Sequence, residues 1–374
     1  MAKTKDKEKK GKHKSVITDT SFEFLKNYIN TASPVGFESG GQKVWLDYIK
    51  PFVDTHFTDP YGTAVGVVNP SDAFKVVIEA HADEISWFVN YINDQGLIYL
   101  KRNGGVDHQV APAKRVWIHG KKGAVKAVFG WPAIHTRLGN PEQKEPQPKV
   151  DNLFLDCGAR NKKEVEALGI HIGCVVTYEE GFEELAHDYY IGRAFDNRIG
   201  GFMIAEVARL LKENKKKLPF GLYIVNAVQE EIGLRGAEMI ARRIKPNVAI
   251  ITDVTHDTQT PMINKVIEGD IACGKGPSLA YGPAVHNKLL KLVEDVAEKK
   301  KINVQMRTVS RSTGTDTDSF AYANDGCPSV LISIPLRYMH TPVEMLHKKD
   351  IEDTILLMYE TLLELTPKTN FSYL

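Results

Sequence analysis

Cysteine is scarce, with four in 374 residues: Cys157, Cys174, Cys273 and Cys327, set far apart and without a C-x-x-C pair. This excludes a disulfide-stapled scaffold and argues against a zinc ion held by thiolates. The thiols read as reduced and mostly buried, as in a cytoplasmic protein. No apolar run reaches 18 residues, so no transmembrane helix is expected, and the N-terminal stretch lacks the apolar segment of a secretory signal. Net charge is nearly absent too, at +1 from 48 Lys and Arg against 47 Asp and Glu. That balance hides an asymmetry. Residues 1–15 hold seven Lys against Asp6 and Glu8, a surplus of five, so the rest of the chain carries a net −4. A mildly acidic body is a poor partner for nucleic acid, and residues 1–17 read as a disordered, solvated basic arm.

With 43% hydrophobic and 25% charged residues, the remainder has the composition of a globular protein. Phe22, Leu25, Tyr28 and Ile29 recur at helical spacing after Thr18 to Thr20, and Val44, Trp45, Tyr48 and Ile49 mark a second helix. The run 75–80 (KVVIEA) reads as a buried strand. From Trp87 to about Glu180 the texture changes to short strand-like pieces at 97–100, 115–118, 124–129 and 174–178. Turn signals such as Asn103-Gly104-Gly105 separate them. The polar, Pro-rich residues 139–151 read as an exposed loop. An alternation of helix and strand then resumes: helices over 197–212, 237–244, 286–299 and 351–365, and strands over 220–228, 248–252 and 329–334. The pattern predicts an α/β body interrupted by a β-rich insertion.

Five places combine metal-ligand residue types with strand ends, where α/β proteins usually place their sites. His81 and Asp83 close the first apolar strand, and residues two apart on a strand share a face. Asp196 precedes the long helix, where an ordinary N-cap is the competing reading. Glu230 and Glu231 follow the strand at 220–228. Two adjacent carboxylates at such a mouth destabilise the fold unless something neutralises them, and their side chains diverge. Asp253 terminates the apolar strand at 248–252, and His340 follows the last strand. Two His and three carboxylates, without thiolate, suit Zn²⁺, Co²⁺ or Mn²⁺. They suffice for two divalent ions about 3.5–4 Å apart if one carboxylate bridges.

In order along the chain, Ser33-Pro34-Val35-Gly36-Phe37-Glu38, His81-Ala82-Asp83-Glu84, Arg193-Ala194-Phe195-Asp196-Asn197-Arg198, Gln229-Glu230-Glu231-Ile232-Gly233-Leu234-Arg235-Gly236, Asp253, Gly314-Thr315-Asp316 and Arg337-Tyr338-Met339-His340-Thr341-Pro342-Val343-Glu344 resemble the M42 metalloaminopeptidases. These include the glutamyl and tetrahedral aminopeptidases once called cellulases. The resemblance spans about residues 20–365. It implies a three-layer α/β catalytic domain (18–86 and 188–374) with an inserted β-rich, PDZ-like dimerisation domain (87–187). It further implies that His81 and Asp253 hold one metal, Glu231 and His340 the other, and that Asp196 bridges both. Glu230 would activate a metal-bridging water as general base, and Asp83 would orient His81. The bond after Asp196 is a candidate cis position. Arg311 with Gly314, Thr315 and Asp316 is expected at the substrate pocket, where a basic side chain would favour acidic residues. Two departures from the family pattern, Thr317 after Asp316 and Thr341 after His340, bear on specificity.

The implied activity is removal of N-terminal residues from short peptides in the cytoplasm, by a homo-oligomer that forms dimers and tetrahedral dodecamers. No nucleic-acid or membrane partner is implied. A related metal-dependent deacylase or amidase is the alternative. A glycoside hydrolase (endoglucanase) fits less well, because that chemistry needs two spaced carboxylates and no metal.

Overall fold

The computed structural model describes residues 15–71, 73–137 and 146–374. Most of the basic arm and the centre of the polar loop lie outside the described residues. Ser15 to Ile17, expected within the disordered arm, instead pack on the body. Ile17 is buried in the main core and the Val16 carbonyl accepts a bond from Arg209 Nη2 at 2.6 Å. The apolar Val16-Ile17 pair has surface to bury that the lysines before it lack. Helix Asp19–Asn30 follows, capped by the Thr18 hydroxyl, which accepts from the Ser21 amide at 3.1 Å. Helix Ser39–Ile49 buries Trp45 and Ile49.

The strands are β1 (Thr55–Thr58), β2 (Ala64–Val68), β3 (Lys75–His81), β4 (Ser86–Ile92), β5 (Ile98–Asn103), β6 (Arg115–Gly120), β7 (Gly123–Gly130), β8 (Phe154–Asp156), β9 (Val175–Tyr178), β10 (Glu183–Glu184), β11 (Tyr189–Gly192), β12 (Gly221–Ala227), β13 (Val248–His256), β14 (Ser278–Tyr281), β15 (Gln305–Thr308), β16 (Ser329–Leu336) and β17 (Glu344–His347). Eight of them form one mixed sheet in the order β1-β2-β12-β3-β13-β16-β14-β15. Its centre, β12-β3-β13-β16, is parallel. These four strands are buried almost throughout, which is why they read as continuous apolar runs. Pro335, near the end of β16, lies beyond the last residue pairing with β14, so its missing N–H leaves no gap on that side of the ladder.

The long helix Phe195–Glu213 lies against β3, where a Cβ on Gly200 would sit 2.8 Å from the Ala80 Cβ; glycine permits that approach. Helices Asp19–Asn30, Ser39–Ile49 and Lys348–Glu364 pack on it, while Arg235–Ile244 and Thr317–Ala321 pack on β12, β13 and β16. The result is a mixed α/β fold.

The β-rich stretch closes on itself. Strands β4-β5-β8-β7-β6-β9 form a barrel with its own apolar core around Trp87, Ile98, Ile118, Phe129 and Leu155, separate from the main core. Trp87 meets Phe129 edge-on, with ring centroids 5.5 Å apart. Beyond the barrel, β10 pairs with β11 and β11 with β17, which ties this end of the stretch back to the C-terminal part of the chain. All four cysteines are free, and no described helix is long and apolar enough to cross a membrane.

Candidate active site

Parallel pairing brings the strand ends together. His81 is the last residue of β3 and stands opposite Ala227, the last residue of β12. On the other side of β3, Asp253 lies near the end of β13. After β12 the chain turns through Gln229 (φ 58°) into a single 3₁₀ turn, Glu230–Ile232. This turn is held by Asp83, whose two carboxylate oxygens accept the amides of Glu230 and Glu231 at 3.0 and 3.1 Å. Asp196 sits before the regular part of the long helix, with non-helical backbone and a cis bond to Asn197. Its side chain faces His81 and His340 rather than simply capping the helix. His340 arrives on the loop after β16, itself at φ 62°.

The seven residues singled out as ligands or proton handlers do converge. His81 Nε2 stands 3.3 Å from Asp196 Oδ1, 3.8 Å from Glu230 Oε2 and 4.0 Å from Asp253 Oδ1. His340 Nε2 stands 3.2 Å from Asp196 Oδ2 and 3.3 Å from Glu231 Oε2. Asp196 thus offers one oxygen to each histidine. His81 Nδ1 is 3.3 Å from Asp83 Oδ1, and His340 Nδ1 is 3.0 Å from the Gly105 carbonyl. Glu230 and Glu231 indeed diverge, one toward His81 and the other toward His340. Ligand atoms of His81, Asp196 and Glu231 all lie within 4.8 Å of one another.

The electrostatics fit divalent cations. Burial, reinforced by the neighbouring carboxylates, pushes the Glu230 carboxyl up to about 10 and opposes ionisation of Glu231. Burial raises Asp253 to about 7 against the pull of His81. Burial disfavours charge on His340 also, but bonds to Asp196 and Glu231 prevail and push it up to about 12. His81 rises for the same reason through Asp196 and Asp83, and Asp196 is held below the carboxylate range by both histidines despite burial. Four carboxyls crowd two imidazoles here, and protons offset the buried charge where divalent cations could do so instead. Glu231 Oε1 is buried without a hydrogen-bond partner, as a ligand atom awaiting a cation would be.

Other residues hold this set in place. Glu344 accepts the amides of Asp196 at 3.1 Å and His340 at 2.9 Å, so one carboxylate fixes both loops. Asn197 donates to the Thr252 carbonyl at 2.7 Å, next to Asp253. Glu84 pairs with Arg193 and accepts the Ser33 amide at 2.7 Å; Arg198, fully buried, lies 3.6 Å from it and over the Tyr28 ring. The pair joins the loop bearing Asp83 to the loop bearing Asp196. Arg193→Ala should therefore cost about 1–3 kcal/mol of stability, because the buried Glu84 carboxylate keeps only Arg198 and the Ser33 amide. Denaturant unfolding checks this, and a midpoint equal to wild type would refute it.

A cleft of about 580 Å³ opens onto the cluster, lined by Asp196, Glu230, Glu231, Asp253 and His340 and, on its outer wall, by Leu234, Arg307, Met339 and residues 312–315. Gly314 and Thr315 stand in that wall as expected. Arg311 does not: it is exposed, and Arg307 on β15 supplies the wall's basic group instead. Nor does Asp316, which is buried at the start of helix Thr317–Ala321 beside Glu79. Burial raises Glu79 to about 8 and Asp316 well above the carboxylate range, so that pair keeps a proton.

Residues 62–357 match the M42 glutamyl aminopeptidase family. A lysyl aminopeptidase of Pyrococcus furiosus is 32% identical over 349 residues, covering 92% of this chain and 98% of that one. The crystal structure of a TET aminopeptidase from a marine sediment thaumarchaeote superposes with a TM-score of 0.89 at 29% identity, over 94% of this chain and 98% of that one. The TET1 peptidase of Pyrococcus horikoshii, which assembles into a tetrahedron or a large octahedral shell, superposes at 0.81 with 25% identity, over 92% and 100%. With the fold, the ordered motifs and the relatives in agreement, the chain belongs to the M42 glutamyl aminopeptidase family and is a peptide hydrolase.

Proposed function

We propose that this chain is a dinuclear metal-dependent aminopeptidase acting on short peptides. The observation that carries the reading is the convergence of His81, Asp196, Glu231, Asp253 and His340, donor types that suit divalent cations, at the floor of an open cleft. His81 and Asp253 would hold one divalent cation (Zn²⁺ or Co²⁺, with Mn²⁺ acceptable to the same donors), Glu231 and His340 the other, and Asp196 would be shared. Two such cations, when bound, polarise the scissile carbonyl and make a water acidic enough to serve as nucleophile near neutral pH. With cations offsetting the neighbouring carboxylates that hold its proton, Glu230 would ionise, take up the proton of the attacking water and return it to the leaving amine. Asp83 aims the His81 ring and, through the two amides it accepts, sets the Glu230 and Glu231 side chains apart. Metal analysis of the purified protein, with a panel of aminoacyl-p-nitroanilides run before and after chelation, tests the reading.

Arg307 indicates which N-terminal residue the cleft takes. It is the only Lys or Arg among the lining residues, is half-buried with its Nε shielded from solvent, and has no carboxylate within ion-pair distance among the described residues. Outside the metal-type cluster that wall carries no carboxylate. A half-buried cation without an ion-pair partner rewards an acidic side chain and penalises a basic one. Glu-p-nitroanilide should be cleaved in preference to Lys-p-nitroanilide, and Arg307→Gln should cut that preference about tenfold, the worth of one charge-assisted hydrogen bond. Preference for Lys in the wild type would remove Arg307 from the substrate wall.

Residues 87–187 would serve as the inserted PDZ-like dimerisation domain of a three-layer enzyme. The protein would work in the cytoplasm; self-association, up to a tetrahedral dodecamer, is supported by the dodecameric and shell-forming relatives and by the exposed apolar residues Met262, Val266 and Ile267.

A further inference from the structure

We propose that the Asn103-Gly104-Gly105 turn, which leaves the barrel at the end of β5, is a positioning element of the active site. Its Gly105 carbonyl fixes the His340 imidazole so that Nε2 faces Asp196 and Glu231. The inference rests on the reading of His340 as a metal ligand and adds a role for the barrel in building that ligand.

Three observations carry it. A carbonyl oxygen only accepts, so at 3.0 Å the His340 Nδ1 carries the proton and donates it to Gly105; in the neutral ring the lone pair is then on Nε2. That is the tautomer a cation between Asp196 and Glu231 requires. Second, the turn leaves no room for a side chain. A Cβ on Gly105 would stand 2.8 Å from both Cε1 and Nδ1 of His340, although the Gly105 backbone is not left-handed. Close approach, not backbone freedom, is what glycine supplies here. At Gly104 (φ 87°) a Cβ would stand 3.3 Å from that of Glu231, so the turn runs beside both residues. Third, the turn is anchored. Asn103 is buried, and its amide donates to the Val35 carbonyl at 2.9 Å and the Ser86 hydroxyl at 2.8 Å. Val35 in turn donates its own amide to the Glu84 carbonyl.

His340 needs such support more than His81 does. His81 is at the end of a central strand, 1% exposed, with the Asp83 carboxylate behind it. His340 is on a loop with its side chain 32% exposed, and Gly105 is the partner of its second ring nitrogen. A neutral carbonyl makes a less basic imidazole than a carboxylate does. The cation at His340 and Glu231 is thus held more weakly than the one at His81 and Asp253, and it is the one the turn controls.

The test is titration of the chelated full-length protein with Co²⁺, followed by calorimetry and by the visible absorbance of bound Co²⁺. Wild type should take up two equivalents of unequal affinity. Gly105→Ala should weaken the looser equivalent about 10–100-fold and alter its absorbance band, leaving the tighter one unchanged. Asn103→Ala, which removes the anchor without adding bulk, should weaken the same equivalent. Val116→Ala, in the barrel core, should lower thermal stability and leave both equivalents as in wild type. Unchanged binding of both equivalents in Gly105→Ala and Asn103→Ala would overturn the proposal, as would an equal loss in Val116→Ala. Wild-type protein that binds no Co²⁺ would overturn the functional reading and this inference with it.

Discussion

Glu230→Gln should lose about 10²–10⁴-fold in kcat while keeping its metal and changing KM little. The substitution preserves the size and shape of the side chain. The backbone bond from residue 230 to Asp83 does not involve the side chain and is retained. None of the five ligand candidates is touched, and the Glu230 side chain comes no nearer than 3.8 Å to His81, farther than Asp196 does. What disappears is a group that exchanges a proton. Glu230 lies at the cleft lining, so it reaches the substrate space where Asp83, which is fully buried, does not. Metal content and steady-state kinetics of the purified variant decide the matter. Turnover near the wild-type value would refute the assigned base, and loss of metal together with turnover would make Glu230 a ligand instead.

Removal of divalent cations should have the other large effect. Chelation should bring hydrolysis to background, and Zn²⁺ or Co²⁺ should restore it. It should also lower thermal stability, since a ligand bound only by the native state at about 1,000 times its Kd contributes about 4 kcal/mol. The buried acids explain why. Asp196, Glu230, Glu231 and Asp253 share two imidazoles as their nearest cationic groups, and Glu344 stands just behind them. Without cations, protons must be taken up in their place. Activity and melting temperature that ignore a chelator would sink the dinuclear reading.

Much of this arrangement was legible in the sequence. Buried parallel strands leave long apolar runs, so β3, β12, β13 and β16 stood out, and with them the acids and histidines at their ends. The long helix was legible from its apolar stripe. Strands β1 and β15 were not, because short edge strands with exposed positions carry little periodic signal. Arg307 carries no local signal for that reason, whereas Arg311, four residues on beside the Gly314 motif, reads as the basic group of the pocket. Asp316 reads as a pocket residue because its neighbours Gly314 and Thr315 are, yet at the start of helix Thr317–Ala321 its side chain is buried beside Glu79. Gly104-Gly105 read as punctuation between strands. Nothing local reveals that a turn abuts a histidine from the far end of the chain.

The distance along the chain between the parts of the site has a consequence for the protein's synthesis. His81 is made early and His340 near the end, with the whole barrel, the long helix and β13 between them. Pairing of such remote segments is the slow part of folding. A growing chain on the ribosome therefore presents free N-termini nearby but no assembled means of cutting them. The cluster is complete only once the loop after β16 has brought His340 to Asp196 and Glu231.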